Sequence, residues 1–525
     1  MDCAPRRLKT DGLRYGSWGK PMKKTLADFQ PLKPAEQELF ECCQRGDIAI
    51  IGEERPTEKI ETNEIRAEFL RWLILFSKID INPKGIQLYG AWISGILNLD
   101  NAQFLNVLGF WKCVFEQKLS IIRTTIKDIY MDGSLCEQGI RADGFRCHDL
   151  HLRNGFEAKA EVRFAGAKIK GNFDCTNAIF KSLDKKQKAL DCNGIYVDGH
   201  VFLRDGCSAD GTVRFSGAKI KGNFSCLKAT FKAFTEEEKA LNFNGMILGG
   251  GLQLRDNCTI LNGKVDLINL TVNVLDDKEF WEQVTLKTVY LDGFNYGHIY
   301  GDTSASFRLK NMLGKVSEFS PQPYKQLTKV LRNMGHDRDA DEVMIALHDK
   351  KLEFSKESWL YKVFRKIYKW TSEYGYRPMR ILKIMSGIWF LFGCIYWYGA
   401  NVTVFAPSNP LIFQKQDYNC TIDKNGTKWF ASPQDYNATN NWYKASPPEY
   451  TTFQPFWYSL DIILPVVDLK MEKDWGVVIP SPDGSFFTTF NYFIRFLTWS
   501  ENIIGWILSL LLVAILSGLA KNEKE

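Results

Sequence analysis

Three stretches of this chain are variants of one pattern. AWISGILNLDNAQF (91–104), AKIKGNFDCTNAIF (167–180) and AKIKGNFSCLKATF (218–231) all read A-x-I-x-G-x-[LF]-x-[LC]-x-x-A-x-F. The last two lie 51 residues apart, and the likeness continues beyond them. ALDCNGIYVDGHVFLRDG (189–206) matches ALNFNGMILGGGLQLRDN (240–257) at the same offset, and DLHLRNG (149–155) is a looser copy. Ala167, Ile169, Gly171, Phe173 and Cys175 alternate with Lys168, Lys170, Asn172 and Asp174. A period of two predicts a strand with one face buried. Turn signals and small residues recur between such strands, as stacked coils require where the backbone turns tightly. A single coil cannot bury its own apolar face, so neighbours must stack. The pattern predicts a right-handed β-solenoid over 83–318. The 51-residue unit is too long for one coil and reads as two coils plus an insertion, KSLDKKQK (181–188) or KAFTEEEK (232–239). Square and triangular coils are both open at this point.

Helical spacing flanks the repeats. AEQELFECCQ (35–44) and NEIRAEFLRWLILF (63–76) have the 3.6-residue period and predict a helical cap over 1–82. Arg66, Glu68 and Arg71 interrupt the second run, so it covers the end of the next domain and does not cross a bilayer. After the repeats, 321–352 reads as two helices broken at Met334–Gly335–His336, part of a segment 319–380 that acts as a cap or coupling element. Lys350 to Lys383 holds ten Lys/Arg against three acids, a local net of +7. Lys362, Arg365, Lys366, Lys369, Arg377, Arg380 and Lys383 belong to this cluster. Beside a span, such a cluster fixes topology and contacts anionic lipid.

Two apolar runs follow within 381–525. ILKIMSGIWFLFGCIYWYGANVTVF (381–405) has about 20 apolar residues after Lys383, enough for a bilayer core of roughly 30 Å. IIGWILSLLLVAILSGLA (503–520) is the second. The basic segment predicts that the repeats and the C-terminus are cytoplasmic, with a loop over 406–498 on the far side. MDCAPRRLKTDG at the start has no apolar signal region. The thirteen cysteines have no metal-type spacing, and twelve precede residue 400, where a reducing compartment is expected. Cys420 falls in the outer loop.

Between the spans lies PFWYSLDIILPVVDL (455–469). Apolar residues fill each turn from Pro455 to Leu464, and Pro465 then breaks the helix. A short helix followed by extended backbone is the shape of a re-entrant pore loop. Such backbone is tolerated at membrane depth only against protein or water. In an oligomer Asp461 or Asp468, around Pro465, Val466 and Val467, could form an acidic ring favouring cations. A helix lying on the outer interface, with both acids solvated, is the other reading.

SEYGYRPMRILK (372–383) resembles the junction of bacterial pentapeptide-repeat proteins that carry a two-helix, potassium-channel-like module. The order of basic junction, span, aromatic segment and second span is similar over the last 150 residues or so. Those relatives carry a T-x-G-Y-G-D-type filter, whereas ILPVVDLKMEKDW stands at that place here. Taken whole, with EIRAEFLR (64–71), PQPYKQLTKVLRNMGH (321–336), YGYRP and LPVVDL, the chain resembles a bacterial pentapeptide-repeat membrane protein family often labelled membrane-associated oxidoreductase. The resemblance implies a bacterial inner-membrane protein, and ILPVVDLKMEKDW departs from it in lacking a potassium filter.

The residues themselves give no support to oxidoreductase chemistry. Gly249–Gly250–Gly251 sits in a repeat, without the strand–turn–helix context that a dinucleotide needs. There is no C-x-x-C pair. Cys147, His148 and His151 are the densest set of metal-type ligands, but 148 and 151 point to opposite faces of a strand. No nucleophile elbow or phosphate loop occurs. The expectation is no catalytic residue, no cofactor and no metal. A net charge of +6 over 525 residues is too dilute to argue for nucleic acid. The function expected is an oligomeric pore or channel-like protein whose cytosolic repeats assemble or sense. A membrane-tethered scaffold that binds a protein partner on the repeat surface, without conduction, is the alternative.

Overall fold

The computed structural model describes residues 24–77, 81–183, 188–285, 288–402, 404–409, 450–478 and 486–517. The N-terminal residues 1–23, most of the outer loop with Cys420, and the last residues lie outside the described set. The chain divides into two compact units, Met1–Ala346 and Leu347–Glu525.

The first unit is built on parallel sheets of 17, nine and nine strands. Most strands are only two residues long. Successive strands visit four columns of pairing in turn, and every fourth strand then bonds in parallel to the one below. Ile86 pairs with Leu108, Leu108 with Ile129, and Ile129 with Leu150. Phe173 pairs with Val201, 28 residues on, and Val201 with Phe224, 23 residues on. The 51-residue unit is therefore two circuits, and the longer one carries the polar insertion. Two of the four columns merge into the 17-stranded sheet, because Ile247–Gln253 spans both.

The strand expected over Ala167–Cys175 is two strands, Lys168–Ile169 and Phe173–Asp174, separated by a corner. Ala167, Ile169, Phe173 and Cys175 are fully buried, as alternation requires, while Gly171 sits at the corner. The period survives because each short strand on either side of the corner points one side chain inward. The sequence reading missed what stabilises these corners. Asp128 Oδ1 accepts the N–H of Asp149, whose Oδ1 accepts the N–H of Asn172. Asn172 Oδ1 accepts the N–H of His200, His200 Nδ1 that of Asn223, and Asn223 Oδ1 that of Gly251. Each circuit thus satisfies a corner amide that its own ladder leaves open.

Helices close both ends. In α1 (Pro34–Arg45) Glu36 is buried and pairs with Arg66, which enters α2 (Ala67–Leu75). Phe69, Leu70 and Leu73 of α2 are fully buried. The N-terminal segment also adds strands Ala49–Ile50 and Glu64–Arg66 to the sheets, which the helical period did not reveal. At the other end, short helices α3 (Phe280–Gln283) and α4 (Ala305–Phe307) frame an ion pair between Asp277 and Arg308, both 0% exposed. Trp281 Nε1 also donates to Asp277, and Lys315 Nζ donates to the Trp281 carbonyl. Helix α5 (Pro321–Asn333) lies on the last strand, Asn295–Tyr300. Gln322 Oε1 accepts the Gly293 N–H at 2.9 Å, and Gln326 Nε2 donates to the Tyr296 carbonyl at 2.7 Å. Two glutamines thereby occupy an edge that would otherwise template another strand.

Helix α6 (Asp337–Phe354) leads into the second unit, with α7 (Trp359–Ser372) and α8 (Met379–Asn401). Then come α9 (Pro455–Ile463), the single turn α10 (Met471–Asp474) and α11 (Phe486–Leu516). Among the described residues, α8 and Thr489–Leu516 of α11 are long and apolar enough to cross a membrane. The second helix starts at Phe486, well before the uncharged run at 503, so residues 486–498 of the expected loop are helical.

Candidate functional site

Helix α9 begins at Pro455, where a missing N–H costs nothing, and ends before Pro465, which cannot continue it. It is apolar on most sides and packs against both α8 and α11. Two glycines make the approach close. A Cβ on Gly393 of α8 would lie 2.4 Å from the Phe456 ring, and one on Gly505 of α11 would lie 2.7 Å from the Ile463 carbonyl. Trp389 Nε1 donates to the Phe456 carbonyl at 2.7 Å. Toward its start, α9 joins an aromatic cluster of Tyr396, Phe405, Phe453, Tyr458 and Trp475. At its end, Ile463 packs with Ile381, Met385, Leu508 and Ile515. The helix therefore runs alongside the interiors of both long helices, with its C-terminus at Gly505.

A turn reverses the chain after Leu464. Asp461 is 6% exposed, and its two oxygens accept the N–H groups of Leu469 (2.7 Å) and Glu472 (2.9 Å). Asp468 is exposed, accepts the Lys470 N–H at 3.0 Å and pairs with Lys473. Pro465 is half-buried, Val467 is exposed and Val466 is 81% exposed. The chain then pairs Trp475–Val477 antiparallel with Phe405–Pro407, just after α8. The two acids read together from the sequence thus hold different positions. Asp461 fixes the turn from within, and Asp468 stands on its outside.

Glu501 of α11 is the residue that sequence reading missed. It is 0% exposed and faces Tyr396 of α8 and Ser459 of α9. Tyr396 Oη lies 2.6 Å from Glu501 Oε2, and Ser459 Oγ lies 2.5 Å from Oε1. The available signal was an acid two residues before an uncharged run. A search for charge-free windows starts just past it.

The basic cluster is distributed over one amphipathic helix and the junction after it. Trp359, Leu360, Val363, Phe364, Ile367 and Trp370 form an exposed apolar arc on α7. Lys362, Arg365 and Lys369 lie on the other side, and Lys366 flanks the arc. Arg365 reaches His348 Nδ1 at 2.9 Å, and Lys369 pairs with Asp349 at 2.8 Å. Asp349 also accepts from Tyr374, whose hydroxyl is pushed up by burial and by that carboxylate. Arg377 and Arg380 pair with Glu373. Lys366 and Lys383 are exposed.

In the first unit, His148 Nδ1 lies 2.9 Å from Asp149 and 3.7 Å from Asp128. These three could hold a cation by distance, but each acid already receives a corner amide, and the cluster carries no further sign of a ligand. His151 is turned elsewhere and stacks on Tyr130 at 4.6 Å. Gly249–Gly250–Gly251 lies within strand Ile247–Gln253, not ahead of a helix. Lys118, Arg141, Arg163 and Glu161 line an open surface pocket of about 280 Å³, where Arg163 is already bound to Asp143 and Asp191. Comparison with known protein families, characterised proteins and solved structures finds no match.

Proposed function

We propose that the chain is an integral membrane protein in which a cytosolic, right-handed β-solenoid is joined to a two-span hairpin with a re-entrant helix, and that several hairpins together form a pore. One observation carries this reading: α9 lies along the interiors of α8 and α11, with Ile463 against Gly505. A helix resting on the outer interface would meet only the ends of the two spans. The irregular turn after Leu464 must then face water or another subunit. Val466 and Val467 are exposed, as water access to this turn requires, and Asp468 is the acid left at the mouth to attract cations. One hairpin is too small to enclose a conduit, so a homo-oligomer is required. Four strands per circuit support a square coil.

The apolar arc of α7 and its opposite lysines support an interfacial helix on an anionic leaflet, next to the first span. Ion flux through purified protein in liposomes tests the reading. Flux is expected from the intact chain, lost on deletion of 455–469 and shifted in ion preference by Asp468→Asn. The tethered scaffold is favoured by one fact: both oxygens of Asp461 are committed, and Asp468 is paired with Lys473. A folded, silent monomer in detergent would select that reading.

A further inference from the structure

The hydroxyl of Ser459 touches two oxygens. Its Oγ is 3.1 Å from the Trp389 carbonyl and 2.5 Å from Glu501 Oε1. A peptide carbonyl only accepts, and Ser459 has one proton for both contacts. Tyr396 uses its own proton toward Glu501 Oε2. Three contacts therefore share two hydroxyl protons, and an ionised carboxylate adds none, so one of them is left without a proton. The arrangement is fully satisfied when Glu501 donates to Ser459, Ser459 donates to Trp389, and Tyr396 donates to Glu501. No ion pair among the described residues includes Glu501, and an unpaired buried carboxylate is strongly disfavoured.

We propose that Glu501, Ser459 and Tyr396 form a proton-binding site that latches α9 between α8 and α11. Glu501 holds the proton while α9 is seated, and loss of the proton turns the Ser459 hydroxyl toward the carboxylate and away from the Trp389 carbonyl that ties α9 to α8. The other titratable groups near it are acids and phenols: Tyr396 on α8, Tyr458 and Asp461 on α9, and Glu472 on α10. Arg495, on α11 itself, lies over the Trp499 ring. The site stands whether or not the hairpins conduct.

Infrared difference spectroscopy of the full chain in lipid tests this. Glu501→Gln keeps the geometry, because its amide can donate to Ser459 and accept from Tyr396. At neutral pH the wild-type-minus-Glu501→Gln spectrum should contain a protonated carboxyl band, lost as the pH rises. Ser459→Ala removes the acceptor and should shift that band without abolishing it. A cysteine at Val466, with Cys3, Cys394 and Cys420 replaced by serine, should show a step in labelling rate at the pH where the band disappears, beyond the rise common to every thiol, and no such step with Glu501→Gln. A difference spectrum with only carboxylate at neutral pH overturns the proposal. So does a wild-type labelling profile that coincides with that of Glu501→Gln at every pH.

Discussion

Asp461→Ala separates the two acids of the 455–469 segment more sharply than any change in conduction. In the wild type the buried carboxylate receives two backbone amides, from Leu469 and Glu472. Hydrogen bonds to a charged group contribute about 1.5–3 kcal/mol each, so Asp461→Ala should cost roughly 3–6 kcal/mol. Asp461→Asn keeps one acceptor oxygen and should cost about half of that, roughly 1.5–3 kcal/mol. Asp468→Ala removes an exposed pair with Lys473 and should leave stability unchanged within error. Thermal unfolding of the chain in detergent, read by labelling of Cys394, ranks the three variants. The reasoning is refuted if Asp461→Ala is as stable as wild type, or if Asp468→Ala is the more damaging change.

Arg308→Met leaves Asp277 charged and unpaired in a fully buried place, and should destabilise the first unit by about 3–5 kcal/mol in urea unfolding followed by circular dichroism. Burial pushes the Cys113 and Cys207 thiols up to about 12, so neither should react with maleimide in the folded chain at neutral pH. The stability from these raised thiols is complete below the ordinary thiol value and lost as pH climbs toward 12, because the unfolded chain gives up its protons first. Lys362→Gln and Lys366→Gln should each remove about 1 kcal/mol of attraction to anionic vesicles. The change would be read as a smaller blue shift of a fluorophore on a cysteine at Phe364.

The repeat was legible because its information is local. Inward residues such as Ile169 and Phe173 keep a two-residue period even across a corner, and the 51-residue offset counts circuits directly. The corners were not legible as corners, since a two-residue strand leaves the same alternation as a long one. The amide acceptors Asp149, Asn172 and His200 differ in residue type and act between circuits, so no short pattern marks them. The two apolar helices were legible from hydropathy, but their limits were not. Phe486 to Glu501 contains polar residues that the fold places along a helix. Glu501 was invisible for the same reason, because its partners lie 42 and 105 residues away in sequence.

The most direct test of the re-entrant helix is reagent accessibility of cysteines placed one at a time from Pro455 to Leu469, in membranes, in a chain lacking Cys3, Cys394 and Cys420, the other ten being buried. The account predicts that Ser459, Ile462 and Ile463 are protected from membrane-impermeant reagent, while Val466 to Asp468 are reached through water. Reactivity at helical spacing through all of 455–463, on both sides of Ser459, would mark a helix lying on the surface and contradict the account.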